Sequence, residues 1–190
     1  MGTHPQRRTD TRQRIQDVAL ELFAEQGYEK TSLREIAQLL DVTKAALYYH
    51  FKTKEDILIS VFQDLTGPID ELVAWGKTQE PTLEFKKELL RRYSAALNDA
   101  APLFRFMQEN QAALRDLKIG EIFKDRVRAL LGVLRDEQAP LTDQVRCVSA
   151  LYTLHASMFL LTDVEGDPED KRSASLEVAI DLVTQAHEHA

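Results

Sequence analysis

The chain has a single cysteine, Cys147, so it can form no internal disulfide, and the composition suits a reducing compartment. It has no run of 18 apolar residues, which excludes a membrane-spanning helix. The opening residues, MGTHPQRRTD, lack the apolar stretch of a secretory signal, so the expected location is the cytoplasm. Seven glycines and six prolines, scattered along the chain, exclude collagen-like and low-complexity classes, and there is no internal repeat. A Gly-rich phosphate loop, a nucleophile motif and a Cys/His cluster of metal spacing are all missing. No enzyme activity, cofactor or metal is therefore expected, and His187-Glu188-His189 reads as a solvated tail.

Positive charge is also in short supply. Twenty-four Lys and Arg against 31 Asp and Glu give −7, which taken alone argues against a nucleic-acid partner. The shortage is uneven, however. Residues 1–54 hold nine basic and seven acidic side chains, leaving +2 there and −9 over the rest. Such asymmetry hints at a nucleic-acid end joined to a body that does not bind it. Arg7, Arg8, Arg12 and Arg14 read as a solvated tail or as a basic arm lying along a groove.

Within that end, Thr31–Lys54 (TSLREIAQLLDVTKAALYYHFKTK) is the most informative stretch. Ser32 and Glu35 have the spacing of a capping box, and Leu33, Ile36, Ala37 and Leu40 then mark one apolar helix face. Asp41 is one of the few non-glycine types that tolerates a left-handed turn. Thr43 is the next N-cap, opening about two turns of helix from Lys44 to Phe51. Val42, Leu47 and Phe51 can pack inward, which leaves Lys44, Tyr48, Tyr49 and His50 on the surface behind Ala45 and Ala46. Small residues at the leading end let the helix come close to a partner, and the DNA major groove is wide enough to admit one. Spacing alone leaves a DNA reader and a structural helical hairpin equally open.

Longer-range matches separate the two. Phe23, Gly27-Tyr28, Thr31-Ser32, Ile36-Ala37, Val42, Leu47-Tyr48, Phe51 and Lys54-Glu55 fall at the offsets of one family signature. Over residues 8–62 the chain resembles the N-terminal domain of TetR-family transcriptional regulators. It departs from the family at the turn, where Asp41 replaces the usual glycine. The resemblance implies an all-α protein, with a three-helix helix-turn-helix DNA-binding domain over 1–54 and an effector-binding and dimerisation domain over 55–190. It places Arg34 on the DNA-facing side of the second helix and Ser32 near a phosphate, where helix N-termini favour anions. Thr43, Lys44, Ala45 and Ala46 take the leading end of the recognition helix, with Lys44 expected to reach a base edge. Tyr48, Tyr49, His50 and Lys54 take phosphate-contacting positions, which set register and affinity more than sequence choice.

The remainder reads as helices. Periodicity predicts Gln13–Glu25 ahead of the motif, and after it Asp56 to about Lys77 with Pro68 kinking or breaking it, followed by Thr82–Asn98. Further helices are expected over Pro102–Leu117 in two pieces around Asn110, over Glu121–Glu137, and from a Thr142 cap to about Thr162. Asp163–Asp170 reads as a loop, and Lys171–Ala186 as the last helix. The Val145–Leu161 segment is apolar nearly all round, with Val145, Val148, Tyr152 and Phe159 opposite Cys147, Leu151, Leu154, Met158 and Leu161. A helix of that kind must be buried on more than one face. In the family the resemblance implies, the last two long helices form a four-helix bundle with a second copy. Two recognition helices about 34–36 Å apart on a palindrome likewise require a two-fold homodimer.

The resemblance also implies a small-molecule effector held among the C-terminal helices, lipophilic or aromatic in character. Candidate lining residues are Trp75, Arg92, Tyr93, Phe104, Phe106, Met107, His155, Met158 and Phe159, and ordinary core is the alternative for each. The function expected is a repressor that binds a palindromic operator in double-stranded DNA and is released by effector. A DNA-binding protein of the same fold controlled by a protein partner is the alternative.

Overall fold

A computed structural model describes residues 5–114, 117–159, 161 and 164–188, and these contain helices but no strand. In chain order the helices are α1 (Pro5–Gln26), α2 (Leu33–Leu39), α3 (Lys44–His50), α4 (Lys54–Gly76), α5 (Leu83–Asp99), α6 (Ala101–Glu109), α7 (Gln111–Leu114), α8 (Ile119–Leu134), α9 (Leu141–Phe159) and α10 (Pro168–Glu188). None of the described helices is long and apolar enough to cross a membrane. Two compact units arise: Met1–Asp64 with Phe106–Ile119, and Leu65–Arg105 with Gly120–Ala190. Packing thus does not divide the chain after residue 54. The first half of α4 belongs with the head because Ile57, Leu58, Val61 and Phe62 are buried, and they fill its core.

In the first unit, that face of α4 joins Ile15, Ala19 and Phe23 of α1, Ile36 and Ala37 of α2, and Leu47 and Phe51. Each of the larger apolar side chains is worth about 1.5–3 kcal/mol when removed from water. Phe23 touches Tyr28 at 5.1 Å and stacks on Phe106 at 5.9 Å between ring centroids. Gln16 crosses from α1 to α4, donating to Ser60 Oγ and Asp64 Oδ2 at 2.6 Å each. Gly27, at φ 90°, ends α1 in the left-handed region, with its amide on the Phe23 carbonyl at 3.1 Å.

In the second unit α9 and α10 pack along each other, and both pack on α5. Phe85, Leu89, Leu90, Tyr93 and Leu97 form the buried stripe of α5, which Thr82 caps by accepting from the Phe85 amide at 3.1 Å. Pro68 neither breaks nor ends α4. Arg126 of α8 binds on both sides of it, to Thr66 Oγ1 and to Asp70 at 2.6–3.0 Å, and so braces the turn where proline removes a backbone bond. Gly76 is needed for a close approach: a Cβ there would sit 2.5 Å from Val133 Cγ1.

Several boundaries differ from the sequence expectation. α1 starts earlier, at Pro5, because proline suits a first helical turn. Thr142 does not cap α9. The Pro140 carbonyl takes the first amides, from Asp143 at 2.9 Å and Gln144 at 3.1 Å. The expected loop Asp163–Asp170 is shorter than predicted, since Pro168 opens α10 and Asp167 caps it, its Oδ1 accepting from the Glu169 amide at 2.8 Å. Proline there starts a helix rather than preventing one. The break of α6 from α7 at Asn110 is as expected.

Candidate nucleic-acid interface

Capping fixes where α2 and α3 begin. Ser32 Oγ accepts from the Glu35 amide at 3.2 Å, and the Glu35 carboxylate takes the Ser32 amide and hydroxyl at 2.7 Å each. Those bonds hold the Glu35 carboxyl below its ordinary range. The Ser32 donors expected to meet a phosphate are thus already occupied, and a phosphate there must displace Glu35.

The turn comes next. Leu40 donates to the Ile36 carbonyl at 3.1 Å, Asp41 takes φ 52°, and the Val42 amide closes on the Ala37 carbonyl at 3.0 Å. Thr43 Oγ1 then accepts from the Ala46 amide at 3.1 Å and starts α3. Its hydroxyl proton stays available to a phosphate or base, since a hydroxyl can accept and donate together.

Leu47 and Phe51 anchor α3 inward, and this orientation determines what faces out. Thr43, Lys44, Ala45, Ala46, Tyr48 and Tyr49 are exposed, as is Arg34 on α2. Neither Arg34 nor Lys44 has an ion-pair partner among the described residues. His50 is half-buried and meets the Tyr49 ring edge-on at 5.3 Å. Lys54 is more engaged than expected. Its Nζ donates to the Tyr28 carbonyl at 2.6 Å and the Glu29 carbonyl at 3.2 Å, and lies 4.5 Å from the centre of the Tyr28 ring. Burial, with Glu55 and Glu29 nearby, pushes the Tyr28 phenol up to about 12, so the ring under that ammonium stays neutral.

Two further basic side chains brace the motif: Arg12, which the sequence placed in a solvated tail or basic arm, and Lys52, which went unremarked. Arg12 donates to Ser60 Oγ at 2.6 Å and lies 4.7 Å from the Phe51 ring centre, bracing α3 from α1. Lys52 Nζ takes the Tyr48 carbonyl at 2.6 Å at the end of α3. The side chains of Arg7 and Arg8 lie outside the described residues, as does His189.

The effector candidates separate into groups. Within the second unit, Tyr93 Oη and His155 Nε2 are 2.5 Å apart, and Tyr152 and Phe123 flank the imidazole with centroids at 5.5 and 5.4 Å. Phe104 continues the cluster through Phe123 at 5.1 Å. Burial pushes His155 down to about 4 and the Tyr93 phenol upward, so both are neutral near pH 7. Phe123 had been read only as an apolar helix position, and nothing local marked its aromatic neighbours. Trp75 and Arg92 pair apart from the cluster, the guanidinium 4.1 Å from the indole centre and its Nε on Glu88 at 2.8 Å. Phe106 and Met107 fall in the first unit, where Phe106 is committed to Phe23. The side chains of Met158 and Phe159 lie outside the described residues.

Residues 15–61 match the family described as bacterial regulatory proteins, tetR family. That segment belongs to the TetR family. Within it, the HTH-type transcriptional regulator AcrR of Shigella flexneri is 48% identical over 63 residues, 33% of this chain and 29% of its own length. The fatty acid metabolism regulator protein of Bacillus subtilis (strain 168) is 32% identical over 127 residues, 64% of this chain and 65% of its own. The chain thus spans less than two thirds of either TetR-family relative. SmeT, solved as a complex with triclosan, shares the fold with a TM-score of 0.69 at 20% identity, over 93% of this chain and 91% of that one. The family is one of regulators and not of enzymes.

Proposed function

We propose that the protein is a transcriptional regulator of the cytoplasm, acting as a homodimeric repressor on a palindromic operator and released by a lipophilic or aromatic effector. The observation that carries DNA binding is the exposed face of α3, where Lys44, Ala45, Ala46 and Tyr48 stand outward on buried Leu47 and Phe51. Arg34, Thr43, Tyr49, His50 and Lys54 border it, and Ser32 joins them where Glu35 yields to a phosphate. Lys44 reads a base edge, and the tyrosines hold the backbone. The functional division falls at residue 54, with the helix that follows transmitting the effector's influence.

A dimer is supported by an outward stripe on α9. Leu141, Val145 and Tyr152 are 76, 53 and 58% exposed at helical spacing, and Val178 on α10 is 50% exposed. Exposed apolar area of this kind on packed helices fits a second copy. The neutral Tyr93–His155 pair within aromatic walls supports an effector that is itself aromatic, and SmeT, of similar fold, is solved in complex with triclosan. An effector acts only through differential affinity for the two DNA-binding states.

Selection of bound sequences from a random DNA pool tests the proposal. Enrichment of a palindrome is the expected result. A pool left unenriched at low salt would overturn it.

A further inference from the structure

At one end of the second unit, the start of α5, the α8–α9 connection and the end of α10 enclose a recess of about 440 Å³. That volume falls within the roughly 300–1,000 Å³ range of small-molecule sites. It shares no residue with the aromatic cluster of Tyr93, Phe104, Phe123, Tyr152 and His155.

Its charges are unequally satisfied. Lys86 lines the recess with only 6% of its surface exposed, and its ammonium has no hydrogen-bond or ion-pair partner among the described residues. Arg135 also lines it, and its Nε is buried without a partner among the described residues. Lys86 has no counter-charge among the described residues, and Arg135, beside Glu137, leaves its Nε unbonded, so the two offer donors on one recess that an anion would satisfy. The carboxylates around them are already engaged. Asp143 holds Arg146 at 2.5 Å, Asp136 accepts from the Gln138 amide at 2.8 Å, and Glu137 lies 3.5 Å from an Arg135 terminal nitrogen.

We propose that this recess binds a small organic carboxylate, its charged end between Lys86 and Arg135 and its apolar body against Val133, Leu134 and Ala186. Asp136, Glu137 and Asp143 also line the recess and disfavour a second negative charge on the occupant, such as that of a phosphate dianion. His187 also stands at the recess. The site is independent of DNA binding and stands whether or not an operator is found.

Benzoate is the probe, titrated into the full-length ¹⁵N-labelled protein with amide shifts as the readout. Benzamide serves as the neutral isostere and inorganic phosphate as the competing anion. Saturable shifts at residues 132–147 and 186–187 with benzoate are expected, and none with benzamide or phosphate. Lys86→Met should weaken benzoate binding by roughly tenfold or more, and Lys86→Arg should retain it. The comparison of benzoate with benzamide uses the wild-type chain, so it holds even where a variant folds poorly. Absence of saturable shifts, equal shifts with benzamide, or unchanged affinity in a folded Lys86→Met variant would each overturn the site. Stronger binding of phosphate than of benzoate would overturn the ligand class.

Discussion

Asp41 takes a left-handed backbone, φ 52°, in a turn where glycine is usual for the family. The conformation costs an L-residue about 1–2 kcal/mol, and less for Asp, whose short side chain bonds locally. Asp41→Gly is therefore expected to keep stability within about 1 kcal/mol, whereas the β-branched Asp41→Val should lose about 1–2 kcal/mol. Urea unfolding of the three proteins checks this. Two lysines of the same motif should behave differently toward DNA. Lys44 is exposed without an ion-pair partner among the described residues at the leading end of α3, and Lys44→Ala should relax preference at one operator position, costing about 1–3 kcal/mol there. Uniform weakening across sequences would instead make it a phosphate contact. Lys54→Ala should weaken all sequences alike and lower the salt slope by about one. An unchanged slope would leave Lys54 as a strut to the Tyr28 and Glu29 carbonyls, a role its bonds already give it.

Between elements, the Tyr93–His155 bond joins α5 to α9, and its imidazole is depressed from 6.5 to about 4 by burial. The folded protein therefore refuses a proton that the unfolded chain accepts. His155 contributes stability that is complete above pH 6.5 and declines as pH falls toward 4. The melting temperature should fall through that window, and more steeply in the wild type than in His155→Gln. Equal pH profiles for the two would mean that His155 titrates normally. The braced turn of α4 shows the same division of labour between helices. Pro68 weakens the helix locally, and Arg126 of α8 supplies the missing constraint through Thr66 and Asp70.

For the whole molecule, the proposed dimer rests on the outward stripe of α9. Val145→Asp places a charge on a half-exposed apolar position that faces away from the chain's own core. The variant is expected to fold as a monomer in sedimentation and to lose operator affinity with α3 intact, because one head reaches one half-site. A dimer surviving in Val145→Asp would locate the interface elsewhere.

What the sequence determined by itself is whatever closes within about four residues. The Ser32–Glu35 capping box, the left-handed Asp41, the Thr43 cap and the buried Leu47 and Phe51 could all be read there, because each depends on one residue type at one offset. Even local reading failed at Pro140 and Pro168, where the proline opens a helix that threonine or lysine was expected to start. Only the tertiary structure decided that Phe106 stacks on Phe23, that Phe123 joins Tyr93 and His155, and that Lys86 and Arg135 line one recess. Those pairings join residues 30 to 83 positions apart, and helical periodicity specifies which face is apolar but not which helix will cover it.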